Sequence, residues 1–241
     1  MIFAAGLGTR LKPYTDTMPK ALVPVAGEPM LGILIRHLIK NGISEILINV
    51  HHFASQILNY LNTNNNFGIS IVVSDESDQL LDTGGGLKKA AWFFDDNKPF
   101  LVHNVDVMSD IKLKEMLGFH ERNSASVTLA VSRRESSRYF LFDSEMQLCG
   151  WENTKNNDIR IAGSTTEHLS RFAFSGIHII DPEFLNLILQ AGRFSIVDAY
   201  LELAASVKIS GFEHSADGWI DMGKPDEITR ASDMILLNKQ K

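Results

Sequence analysis

Two cations and two carboxylates stand where a folded chain would let them act on phosphate. Arg10 closes the glycine-bearing run Ala4-Ala5-Gly6-Leu7-Gly8-Thr9-Arg10, and Lys20 follows in Pro19-Lys20-Ala21. The apolar residues 2–5 predict a buried strand that opens directly into this turn. Glycines there let backbone N–H groups approach phosphate oxygens, and the cations carry the charge. The turn begins like G-x-G-x-x-G, but Leu11 holds the third glycine position, so the dinucleotide fingerprint fails. The P-loop fails too, because no Lys-Ser/Thr pair follows the glycines. Asp106 ends the run 100–106, and Asp221 follows Trp219-Ile220. Both sit at the carboxyl ends of expected strands, where open α/β sheets bind ligands. Two such carboxylates can bracket one Mg²⁺, which is usually held by one or two carboxylates and substrate phosphates. Taken singly, each residue has an ordinary reading as a solvated cation or a loop carboxylate.

A second glycine run, Leu81-Asp82-Thr83-Gly84-Gly85-Gly86, is read as a turn leading into a helix over 86–94. Consecutive glycines lose much chain entropy when ordered, which implies a compensating use.

The elements needed to position these groups can be read from periodicity. Strands are expected at 2–5, 46–50, 69–73, 100–105 and 126–131. Helices are expected at 30–40, 55–61, 86–94 and 113–122, alternating with those strands. Such alternation argues for parallel βαβ units. Residues 133–171 are polar and irregular, with short strand-like pieces at 139–142 and 148–151. They form an excursion from the sheet. A long strand follows over 172–180, and Asp181-Pro182 opens a helix through Leu189. A helix over 196–206, a strand over 207–212 and a closing helix over 226–237 complete the chain. The fold class is α/β: one domain over 1–241 with a mainly parallel mixed sheet and a small β excursion.

Composition narrows the function classes. The net charge of −6 argues against a general nucleic-acid binder, whose affinity comes from neutralising phosphates. An anionic ligand must therefore be held by local cations. The single cysteine excludes a disulfide framework and a cysteine zinc site. It suits a reducing compartment, and the expectation is a cytoplasmic protein. No apolar run approaches the roughly 18 residues of a membrane span, and the first residues do not read as a signal peptide.

The combination Ala-Ala-Gly-x-Gly-Thr-Arg-Leu at 4–11 with Pro-Lys-Ala-Leu-Val-Pro-Val at 19–25 resembles the signature of the sugar-1-phosphate nucleotidyltransferases. The resemblance implies a Rossmann-like, GT-A-like domain. It also implies a reaction: an NTP and a sugar 1-phosphate give an NDP-sugar and pyrophosphate. It assigns nucleotide contacts to Ala4, Ala5, Gly6, Gly8, Thr9, Arg10 and Lys20, with Arg10 and Lys20 catalytic. Thr83, Gly84 and Gly85 fall where relatives meet the base and ribose. Asp106 and Asp221 match the family's Mg²⁺ ligands, although Val105 stands where glycine is common before the first. The nucleophile is already largely dianionic at pH 7, since a phosphate monoester has its second pKa at about 6. No protein base is needed; the task is positioning and charge stabilisation.

On the acceptor side, Asn104 and Glu152 are candidates for sugar hydroxyls. Arg138 and Tyr139 are candidates for the acceptor phosphate or an N-acyl group. Ser175-Gly176 matches a family segment that approaches the sugar. Many relatives carry Glu-Lys-Pro where this chain has Glu152-Asn153-Thr154, so that lysine is missing. Thr83-Gly84-Gly85-Gly86, Phe174-Ser175-Gly176-Ile177 and the trimmed excursion are most similar to compact uridylyltransferases acting on N-acetylmuramic acid 1-phosphate. The expected partners are UTP and that sugar phosphate, with no nucleic acid or membrane, in a monomer or small homo-oligomer. A guanylyltransferase acting on mannose or heptose 1-phosphate is one alternative. A non-catalytic NDP-sugar-binding regulator is another, disfavoured because Arg10, Lys20, Asp106 and Asp221 are all present.

Overall fold

The computed structural model describes residues 1–162, 168–215 and 218–238. By its internal contacts the chain forms two compact units. The first comprises Met1–Leu80, His103–Asp110 and Trp219–Lys241; the second comprises Leu81–Val102 and Ile111–Gly218.

The first unit carries parallel strands. Ile2–Phe3 pairs on one side with Glu45–Val50 and on the other with the end of Phe100–Asn104. Glu45–Val50 pairs in turn with Ser70–Asp75. Ile46, Leu47, Ile48 and Val50 are buried. Such near-continuous apolar runs mark a strand covered on both faces. The helix Met30–Lys40 buries Met30, Leu31, Leu34, Ile35 and Leu38, and Asn41 and Gly42 end it as expected. A separate apolar cluster joins Leu11, Val23, Val25 and Met30 to Ile220, Met222 and Ala231. It ties the closing helix Pro225–Asn238 to the segment that carries Arg10 and Lys20.

The second unit is richer in antiparallel pairing. Asp158–Ile161, Leu148–Asn153, Arg138–Phe142, Ser170–Ile180 and Val127–Ser132 pair antiparallel in that order. Ile209–Glu213 then lies parallel to Val127–Ser132. The chain is thus α/β, as expected, with a mixed set of strands. The polar excursion is a meander, and its strand Asp158–Ile161 falls where the sequence reads as part of a loop. Asp-Ile-Arg-Ile does alternate, but four residues beside a polar turn are too few for the period to mark a strand.

Helix boundaries depart from the sequence reading in one informative place. The helix expected over 86–94 is Asp82–Lys89, so the three glycines lie inside it. Packing explains this. A Cβ on Gly84 would stand 2.3 Å from the Phe194 ring, and one on Gly85 would stand 2.1 Å from the Gly192 carbonyl oxygen. The glycines let the helix backbone press against the 192–196 segment, and that contact outweighs their low helix propensity. The helix after Asp181 ends at Leu187, and the one over Ile196–Leu203 is shorter than expected. No helix among the described residues is long and apolar enough to cross a membrane.

Candidate active site

The first unit brings both cations and both carboxylates into one cluster. The strand Ile2–Phe3 ends early, and the turn beyond Ala5 is exposed. Gly8 has φ +64°, a left-handed conformation that favours glycine. A Cβ there would also lie 2.9 Å from Lys20 Cβ and 2.8 Å from Thr15 Cγ2. The glycine thus lets the Lys20 stem pass against the turn. Leu11 N–H and Thr15 Oγ1 both donate to the Gly8 carbonyl, at 2.8 and 2.9 Å, and close the turn. Leu11 is fully buried, which leaves its neighbour Arg10 pointing outward and exposed.

A two-stranded antiparallel ribbon sets the carboxylates. Val107–Met108 pairs with Ile220–Asp221, with Asp221 opposite Val107. The Met222 N–H donates to the Asp106 carbonyl at 2.7 Å. Ile220 and Met222 are buried in the apolar cluster, so Asp221 between them faces the other way. Lys20 Nζ is bonded to Asp106 Oδ2. Arg10 Nη1 lies 3.7 Å from Asp221 Oδ2. Gly223 N–H donates to Asp221 Oδ1 at 2.9 Å.

The two carboxyls titrate in opposite directions. Burial pushes Asp106 up, but the Lys20 ammonium and a hydrogen bond from Asp221 outweigh it and hold Asp106 below the ordinary range. Burial, then the charge and hydrogen bond of Asp106, raise Asp221.

Gly223 is a site residue that the sequence reading misses, although it stands in the same Trp-x-Asp-x-Gly stretch as Asp221. A Cβ on it would lie 2.6 Å from Arg10 Nη2, 2.7 Å from Asp221 Oδ1 and 2.9 Å from Asp106 Oδ2. Without a side chain there, both carboxylates and the guanidinium crowd against the Gly223 backbone. The donor set is hard oxygen, which suits Mg²⁺. Among the described residues no group of three or more His, Cys, Asp or Glu could hold a metal alone. A metal here would draw its other ligands from water and substrate. Asn104 is half-buried at the strand end, and its carbonyl accepts a 2.8 Å hydrogen bond from His103 Nδ1.

The other predicted residues lie in the second unit. Thr83, Gly84 and Gly85 form the first turn of Asp82–Lys89. The Gly84 and Gly85 N–H groups donate to the Phe194 carbonyl at 3.0 and 3.3 Å, and Thr83 Oγ1 accepts from Ile196 N–H at 3.0 Å. Tyr139 and Glu152 are register partners on adjacent strands, as are Arg138 and Asn153. Arg138 is exposed. The Tyr139 hydroxyl accepts from Ser136 N–H at 2.8 Å. Glu152 is buried, with Arg171 Nε 2.5 Å from its Oε1. That contact lacks hydrogen-bond alignment, so charge alone joins the pair. Ser175 and Gly176 occupy a register break in Ser170–Ile180, with Gly176 at φ +74°. Such bulges re-aim side chains. Ser175 Oγ lies 2.8 Å from His214 Nε2, and His214 Nδ1 lies 2.5 Å from the Ser215 carbonyl oxygen. The carbonyl accepts only, so Nδ1 carries the proton, and in the neutral ring Ser175 donates to Nε2. His214 gives no sequence signal, being an isolated histidine.

The nucleotidyl transferase family model matches residues 1–237. The chain belongs to the nucleotidyl transferase family. It is 28% identical over 235 residues to the N-acetylmuramate alpha-1-phosphate uridylyltransferase of Caulobacter vibrioides, covering 93% of this chain and 91% of that protein. It is also 28% identical over 244 residues to the mannose-1-phosphate guanyltransferase of Yarrowia lipolytica, covering 100% of this chain and 65% of that protein. The chain spans about three fifths to two thirds of the length of several such relatives. The fold matches HddC from Yersinia pseudotuberculosis complexed with GMP-PN, with a TM-score of 0.75 at 20% identity, covering 97% of each chain. This member of an enzyme family therefore has the α/β fold implied by its first residues.

Proposed function

We propose that the protein is a Mg²⁺-dependent sugar-1-phosphate nucleotidyltransferase that uses UTP and N-acetylmuramic acid 1-phosphate. One observation carries the reaction type: Arg10 pairs with Asp221, Lys20 pairs with Asp106, and Arg10 meets both carboxylates beside Gly223. An oxygen of the sugar phosphate attacks the α-phosphorus of the NTP. The new P–O bond forms as the α–β bridging bond breaks, and pyrophosphate leaves with the electron pair. Arg10 offers a planar fork to the leaving phosphates. Lys20 is a compact charge for the oxygens that crowd together in the in-line step. Bound between Asp106 and Asp221, Mg²⁺ would supply Lewis-acid and template chemistry. The substrate choice is supported by the Caulobacter relative, matched over nine tenths of its own length.

The test is pyrophosphate release across a grid of four NTPs and a panel of sugar 1-phosphates with Mg²⁺. Turnover led by UTP with N-acetylmuramic acid 1-phosphate is the expected result. Turnover led by GTP with a mannose or heptose phosphate would keep the reaction and replace the substrates. No release with any pair would overturn the enzyme reading.

A further inference from the structure

The first unit buries a carboxylate, Glu76, that the reaction does not use. It is 0% exposed and follows the strand Ser70–Asp75. Its backbone and its side chain are both held by hydrogen bonds. Its N–H donates to the Val50 carbonyl at 2.8 Å. Its own carbonyl accepts from His51 Nδ1 at 2.7 Å. Its Oε1 accepts from Asn49 Nδ2 at 2.8 Å. The last contact decides which way the Asn49 amide faces, because a carboxylate oxygen accepts and therefore takes the NH₂ end. The amide oxygen must then point away, and it accepts the N–H of Ala4 at 2.8 Å.

Asn49 is itself 2% exposed and lies opposite Phe3 in the parallel ladder. One residue beyond that pair, the backbone ladder gives way to a side-chain acceptor. The chain leaves the strand at Ala4 and enters the glycine turn that leads to Arg10. We infer that Asn49 and Glu76 form a positioning relay, in which Glu76 orients the Asn49 amide and Asn49 holds the Ala4 N–H at the origin of the nucleotide turn. The relay rests on the nucleotide role proposed for that turn. A buried N–H left without an acceptor would shift to find one, and the turn would move with it. Neither Asn49 nor Glu76 touches the reacting atoms.

The relay has a polarity that can be reversed. In Asn49→Asp, two carboxylate oxygens face each other where a donor and an acceptor stood. In Asn49→Asp combined with Glu76→Gln, the introduced carboxylate still accepts from Ala4 N–H, and the glutamine amide donates back to it. Steady-state KM for both substrates, kcat and melting temperature are measured for wild type, single and double variants. Asn49→Asp is expected to raise KM for the nucleotide about 10- to 100-fold, the scale of a misplaced contact. The sugar phosphate KM should stay within about twofold, and the double variant should return nucleotide KM to within about threefold of wild type. A lower melting temperature with unchanged nucleotide KM would make the pair merely structural and overturn the inference. So would a double variant no better than the single one, or equal rises in both KM values. If Asn49→Asp does not fold, Glu76→Gln against Glu76→Leu makes the same comparison. The glutamine keeps the acceptor and should retain nucleotide KM, whereas the leucine removes it. Failure of wild type to turn over any substrate pair would instead sink the proposed function.

Discussion

Gly223→Ala puts one methyl group against three of the four charged side chains of the proposed site. Its Cβ would meet Arg10 Nη2 at 2.6 Å, Asp221 Oδ1 at 2.7 Å and Asp106 Oδ2 at 2.9 Å. To reach ordinary contact, these atoms must retreat by roughly 0.5–0.8 Å. All three are the ends of side chains, so the backbone has no need to move and the fold should survive. Asp221 has little freedom to turn while its carboxylate accepts the Gly223 N–H, and Asp106 is held by Lys20. The displacement therefore falls on the geometry that holds the phosphates and the metal. A misplacement approaching 1 Å costs about 100-fold in rate. The expected result is a kcat/KM reduced about 100-fold, with an unchanged circular dichroism spectrum and a melting temperature close to wild type. Pyrophosphate release and a thermal melt measure both. A variant with near-normal turnover would show that the close approach of these three groups at Gly223 is not needed. A variant that unfolds would show that the glycine serves packing and not the site.

Three further outcomes follow from the geometry. Asp106→Asn keeps the side-chain shape but removes the charge paired with Lys20; turnover should fall about 100- to 1000-fold while the fold persists, and global unfolding would mark Asp106 as structural. Gly85→Ala drives a methyl into the Gly192 carbonyl; it should cost about 1–3 kcal/mol of stability, read by chemical denaturation, and a neutral effect would contradict the close packing of that helix. Burial holds His103 neutral with its pKa lowered from 6.5 to about 4. Its contribution to stability is complete above 6.5 and is lost as pH falls toward 4. It should amount to about 3 kcal/mol across that window. His103→Gln should flatten the fall of unfolding free energy between pH 7 and 4, and parallel curves would refute the assignment.

The nucleotide side was legible because its chemistry is local in sequence. A strand, a glycine turn and two cations lie within the first residues, and each has a type that its geometry demands. Gly8 is an example, with its positive φ and its close contact with Lys20. The ribbon that joins Asp106 to Asp221 was not legible, because each of its strands is two residues long. Neither can show a period. The glycines at 84–86 misled the helix boundary because propensity describes an exposed helix, whereas all three are buried, with Gly84 against Phe194 and Gly85 against Gly192. Asn49 and Glu76 gave no signal for a similar reason. In sequence Asn49 is a polar residue in an apolar strand and Glu76 an acid in a polar loop. Only the parallel pairing of three strands brings them beneath Ala4.

The unequal treatment of the two aspartates sets how the site should respond to acid. Asp106 has the ammonium of Lys20 in direct contact, with both side chains largely buried. The cation beside Asp221 is Arg10, at 3.7 Å and more exposed, and Asp221 faces the charge of Asp106. One carboxylate is thus held ionised and the other is pressed toward its protonated form. A divalent cation between them would relieve the repulsion that raises Asp221, so metal and proton compete there. A raised pKa means that Asp221 takes up its proton above the ordinary value of 3.8, so affinity should fall as pH drops toward that raised pKa. Mn²⁺ binding, followed by electron paramagnetic resonance without substrates, should therefore weaken on acidification. Asp221→Asn should bind weakly at every pH, with a flatter profile. Binding unchanged by acid down to the range where a free aspartate titrates would refute the raised pKa of Asp221, and Asp221→Asn binding as tightly as wild type would mean that Asp221 is not a ligand. The metal would then have to be sought at Asp106 alone.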